Sequence, residues 1–129
     1  MISKIHHLGL TVESLSEARD FFIQFLGWKI IKENPDYPSF FVKGGETILT
    51  IWKAQVDSPI QFNRKFNLGL HHLALLVETK EELIDLHEKF ESSKYIVEFG
   101  PRPNGENLHF MLEGPSKIRI EFITLKEVL

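Results

Sequence analysis

The chain of 129 residues contains no cysteine. That absence excludes a disulfide framework, a thiolate metal site and a cysteine nucleophile, and it is compatible with a reducing compartment. Basic residues are not in excess either: 15 Lys and Arg stand against 18 Asp and Glu, a formal charge of −3. A nucleic-acid binder usually carries the opposite imbalance, so a small molecule is the expected partner and no nucleic acid is. No apolar run approaches the roughly 20 residues of a membrane helix, and the opening MISKIHHLGL lacks the layout of a signal peptide. The expectation is a soluble, cytoplasmic protein with no membrane partner.

What is present is a core and a repeat. Apolar residues make up 43% of the chain and include 11 Phe, enough for one domain with a real interior. IHHLGLTV at 5–12 returns as LHHLALLV at 70–77, and the two copies hold four of the six histidines. A capping box follows each copy, Ser14 with Glu17 and Thr79 with Glu82, and each opens an amphipathic helix. The first carries Leu15, Ala18, Phe22, Phe25 and Leu26 and stops at Gly27; the second carries Leu83, Leu86 and Phe90. Three strands are predicted after each helix: 28–33, 39–43 and 46–52, then 95–99, 108–112 and 117–123. The fold class is therefore α+β, a single domain over 1–129 built of two βαβββ modules, about 1–52 and 70–129, with a crossover at 53–69. Neither half would bury its sheet well alone, so curved mixed sheets that cooperate around a cleft are expected.

Alternation along the strands predicts which side chains meet. Leu8, Leu10 and Val12 share the face that lies under the helix, and His7, Gly9 and Thr11 share the other. In the second copy Leu73, Leu75 and Val77 oppose His72, Ala74 and Leu76. The later strands split likewise, with His109 and Met111 on one mixed face and Arg119, Glu121 and Ile123 on another. If the apolar faces cover the helices, His7, His72, His109, Arg119 and Glu121 line a cavity beside the small Gly9 and Ala74. Two neutral imidazoles and one carboxylate on a concave surface are the ingredients of a facial triad, a divalent-metal site with open coordination positions. His6 and His71 fall on the helix-side face, where partial exposure or a backbone hydrogen bond is expected.

Several residues admit two readings. Glu121 is a ligand or a solvated carboxylate on an edge strand, though Ile120 and Phe122 beside it argue for a buried strand. His109 is an outer partner of Glu121, a general acid or base, or a polar residue at a cavity mouth. Arg119 neutralises an anionic substrate or pairs with an acidic neighbour. Trp52 is a cavity wall or packing. His87, on the second helix, is expected at the surface. The loop GPRPNGEN at 100–107 gates a pocket or is a long hairpin connection.

Paired βαβββ modules with His-x-x-x-x-Val opening each, and Ile-Glu-Phe near the end of the last strand, resemble the vicinal oxygen chelate superfamily of glyoxalases, bleomycin-resistance proteins and dioxygenases. The resemblance covers roughly residues 4–124, and SEARDFFIQFLGW, GLHHLALLV and GPSKIRIEFI carry it. It implies one divalent ion per site (Mn, Fe, Ni, Zn or Mg) that chelates adjacent substrate oxygens, with His7, His72 and Glu121 at the matching ligand positions. It also implies a homodimer, since in some relatives the first-module His joins ligands of the other subunit. His109 is then the candidate catalytic residue, and Arg119, Trp52, Thr50 and Met111 are the candidate substrate contacts. A glyoxalase I-like site adds a carboxylate from the last strand of the first module, where ETILTIW offers Thr50 or Trp52. Fosfomycin-modifying relatives usually show an Asp-Pro-Asp-Gly-His turn that EGPSKIRIE lacks, and extradiol dioxygenases are generally longer. Three functions stay open: a metal-dependent lyase, isomerase or thiol transferase, an Fe(II) ring-cleaving dioxygenase, and a non-catalytic binder.

Overall fold

Two four-stranded mixed sheets, each open and curved with its helix on one face, repeat one order of elements along the chain. The structure, a computed structural model, describes residues 1–125. The chain divides into two compact units, the first Met1–Gln61 and the second starting at Phe62. No helix among the described residues is long and apolar enough to cross a membrane.

In the first unit, β1 (Leu8–Val12) leads into α1 (Leu15–Arg19), followed by β2 (Lys29–Asn34), β3 (Ser39–Gly44) and β4 (Thr47–Lys53). The sheet order is β1-β4-β3-β2, with β1 parallel to β4. Ser14 Oγ accepts the Glu17 amide at 3.1 Å, the cap the sequence predicts. From Asp20 to Phe25 the helix widens into a π-helical stretch, which brings Phe21 as well as Phe22 into the interior. The two rings meet edge to face, 5.0 Å apart. Gly27, at φ 71°, ends the helix where the Trp28 amide turns back to the Phe22 carbonyl at 2.9 Å. Leu10, Val12, Phe40, Val42, Leu49 and Ile51 complete the unit's core.

The second unit repeats the order with β5 (Leu73–Val77), α2 (Lys80–Glu91), β6 (Ile96–Asn104), β7 (Asn107–Glu113) and β8 (Arg119–Thr124). The sheet runs β5-β8-β7-β6. Its core is aromatic: Phe110 stacks on Phe122 at 5.0 Å, and Phe90 of α2 reaches Phe122 at 5.7 Å.

Four expectations need correction. The segment 100–107 is not a loop: β6 runs on to Asn104 and turns at Gly105 (φ 60°) into β7. Pro101 and Pro103 are tolerated there because β6 is an edge strand, and the pairing register breaks between Phe99 and Arg102. The last strand starts later than predicted, since Ser116 and Lys117 have positive φ in a 3₁₀ turn. His87 is not at the surface: its side chain is 15% exposed and its ring packs 5.3 Å from Phe110, in space that Gly100 leaves open. Finally, β1 and β5 begin at Leu8 and Leu73, later than predicted, so both His-His pairs precede the ladders, while His72 still falls on the face of Glu121 as alternation predicts.

Candidate metal centre

The register of the second sheet assembles a row of side chains across it. Residues paired directly across strands share a face, so Ala74, Glu121 and Met111 stand side by side, and Ile123, His109 and Arg102 form the next row. Glu121 is 8% exposed and Met111 4%. A carboxylate so buried needs partners, and it has two imidazoles. His109 Nδ1 lies 2.5 Å from Glu121 Oε2, and His72 Nε2 lies 3.4 Å from Glu121 Oε1. The first is a short, charge-assisted hydrogen bond in which His109 donates. The second is longer than an ordinary N–H···O bond.

That longer separation suits a shared ion. Two ligand atoms each about 2.0–2.2 Å from one ion stand roughly 3–3.5 Å apart. Imidazole and carboxylate are both ordinary ligands for divalent first-row metals, so the donor chemistry fits as well. Among the described residues, no group of three or more His, Cys, Asp or Glu side chains is gathered that could hold an ion. His7 belongs to the first unit, exposed at the approach to β1.

Each His pair is closed on itself. His6 Nδ1 stands 2.8 Å from His7 Nδ1, and His71 Nδ1 stands 2.7 Å from His72 Nδ1. His6 and His71 therefore touch the second histidine of their own pair. Reduced hydration, then the His72 ring, hold His71 below the ordinary imidazole value.

The remaining candidates fall into place by register. Arg119 forks onto Glu98, Nε to Oε2 at 2.8 Å and Nη2 to Oε1 at 3.0 Å, with Arg64 3.7 Å from the same carboxylate. The hydrogen bonds from Arg119 pull the Glu98 carboxyl below its usual value, and Glu98 raises Arg119 in return. Sequence reasoning missed Glu98, although an acidic residue inside the apolar YIVEF was a signal. It also missed Arg102, whose guanidinium lies 3.5 Å over the Phe99 ring, itself 5.0 Å from His109.

In the first unit, Thr50 holds the position equivalent to Glu121: it pairs with Gly9 as Glu121 pairs with Ala74. Its hydroxyl accepts the Trp52 indole N–H at 2.8 Å, and a Cβ on Gly9 would lie 3.1 Å from that oxygen. Tyr37 meets Trp52 edge to face at 4.9 Å. This face carries aromatic and hydroxyl groups where the second unit carries a carboxylate.

Comparison with known proteins bears on this arrangement. The Glyoxalase/Bleomycin resistance protein/Dioxygenase superfamily matches residues 4–122. Lactoylglutathione lyase of Neisseria meningitidis is 27% identical over 131 aligned positions, covering 95% of this chain and 91% of its own. The glyoxylase/bleomycin resistance protein/dioxygenase domain from Frankia sp. EAN1pec superposes with a TM-score of 0.87 at 17% identity, over 100% of this chain and 96% of that one. The fosfomycin resistance protein FosX from Listeria monocytogenes gives a TM-score of 0.77 at 18% identity, with 97% and 95% covered. At such identities the two structural matches speak for the fold alone.

Proposed function

The chain belongs to the glyoxalase/bleomycin resistance protein/dioxygenase superfamily, and from that premise we propose that it is a divalent-metal-dependent, glyoxalase-like enzyme. Its reaction is a lyase, isomerase or thiol-transfer reaction on a small substrate with adjacent oxygens. The observation that carries the reading is the pair His72 Nε2 and Glu121 Oε1, 3.4 Å apart on one face of the second sheet. His7, His72 and Glu121 hold the ion, with His7 supplied by the same chain or by a second copy in a homodimer. When bound, the ion polarises a carbonyl or epoxide oxygen and stabilises negative charge as it develops.

The protein's own groups prepare that site. His109 donates a hydrogen bond from Nδ1–H to Glu121 Oε2, which leaves Oε1 to face His72. Met111, itself buried, stands beside the carboxylate and limits the water around it, and Thr50 and Trp52 of the first unit stay as candidate substrate contacts. Arg119 pairs with Glu98, the acidic-neighbour reading of that residue.

One observation favours a second reading. Thr50 holds in the first unit the ladder position that Glu121 holds in the second, so no carboxylate is offered there and the proposed set stays at two imidazoles and one carboxylate, the set used by Fe(II) oxygenases. A ring-cleaving dioxygenase is the alternative. The test is metal analysis of the purified protein together with calorimetric titration of Mn(II), Zn(II) and Ni(II) into chelator-stripped protein. His7→Ala, His72→Ala and Glu121→Ala should each weaken binding by more than the roughly 10–100-fold typical of losing a group behind a ligand. Unchanged affinity in Glu121→Ala overturns the assignment. Turnover of dicarbonyl, thiol-adduct or epoxide substrates supports the first reading, oxygen consumption with iron and a catechol supports the second, and ion-free ligand binding without turnover supports a binder.

A further inference from the structure

Neighbouring residues in a strand point to opposite faces, so adjacent side chains there seldom touch. The two His-His pairs lie just ahead of the ladders, which begin at Leu8 and Leu73, and in each pair the two rings meet. They do so in the same way twice. The ring centroids stand 5.1 Å apart at 81° in the first unit and 5.0 Å apart at 73° in the second, each with the two Nδ1 atoms in hydrogen-bond contact.

A contact of 2.7–2.8 Å between two ring nitrogens requires one proton between them. Two N–H groups would clash, and two lone pairs would repel. A neutral imidazole has one N–H and one bare nitrogen, so the shared proton fixes both tautomers. If the first histidine donates, the second must carry its own proton on Nε2. If the second donates, its Nε2 is bare. Only the latter leaves His72 Nε2, the atom 3.4 Å from Glu121 Oε1, with a lone pair for an ion.

We propose that His71 and His6 are positioning residues: each accepts the Nδ1–H of the histidine after it and so holds His72 and His7 with Nε2 bare. The outer partner that a metal-binding imidazole normally finds in a carboxylate or backbone carbonyl is here the preceding residue. The assignment rests on the metal-site reading for its purpose, but the tautomer is measurable without any ion. It also explains why each module opens with two histidines when one would serve as ligand.

The test uses the full chain, metal-free and labelled with ¹⁵N-histidine, at about pH 8, where imidazoles are neutral. Long-range ¹H–¹⁵N correlation separates protonated from bare ring nitrogens. In the wild type His72 should carry its proton on Nδ1. In His71→Phe the proton should move to Nε2, and Zn(II) affinity by calorimetry should fall by about 10–100-fold. His71→Asn, whose side-chain oxygen can accept the same proton, should restore most of both, and His6→Phe should act on His7 in the same way. A wild-type His72 with its proton on Nε2 overturns the proposal, as does His71→Phe with tautomer and affinity unchanged in a chain that circular dichroism finds folded. A chain that takes up no ion, yet shows the tautomer shift in His71→Phe, overturns the metal reading and upholds the positioning role.

Discussion

Glu98 receives two hydrogen bonds from Arg119 and lies near Arg64, all within the second unit. Its folded pKa is lowered, so the stability it contributes is fully present above the unfolded carboxylate value and is lost as pH falls through the folded one. With side chains 16% and 36% exposed, the pair is partly screened, and a contribution under about 1 kcal/mol is expected. Glu98→Gln should therefore leave a shallower decline of the thermal midpoint between about pH 6 and pH 3, with little change near neutrality. Scanning calorimetry across that range measures it. An acid limb as steep in Glu98→Gln as in the wild type would assign the acid sensitivity to other carboxylates.

At the scale of elements, the helices owe their starting points to single side chains. Thr79 Oγ1 accepts the Glu82 amide at 3.1 Å and opens the 12-residue α2, whose Leu83 and Phe90 are fully buried. Thr79→Ala should lower stability by about 0.5–2 kcal/mol, and Thr79→Ser should recover most of it. Urea unfolding reads this as a shift in midpoint at constant slope. An unmoved midpoint in Thr79→Ala would mean that packing of Phe90 against Phe122 sets the helix on its own.

For the whole molecule, the crossover at 53–69 exposes apolar side chains that the proposed homodimer would cover. Ile60 is 99% exposed, Phe66 83% and Leu68 102%. A homodimer is expected at micromolar concentration by analytical ultracentrifugation, with Phe66→Glu shifting the equilibrium toward monomer. Monomers alone in the wild type would remove the second copy as a source of His7.

Much of the fold was legible because its causes are local. The repeat, the two capping boxes and the period-two runs each act over a few residues, and they give the βαβββ order twice with Glu121 between buried Ile120 and Phe122. What tertiary structure alone decided is where each ladder begins and which distant residue stands opposite. Leu8 enters its ladder opposite Leu49 and Leu73 enters opposite Ile120, which leaves both histidine pairs just before the paired residues. The same register sets Thr50 in the place of Glu121 and brings His109 onto it from 12 residues away. Glu98 likewise finds Arg119 across 21 residues. Strand pairing joins segments that share no local pattern, so its register is set by the packed sheet as a whole.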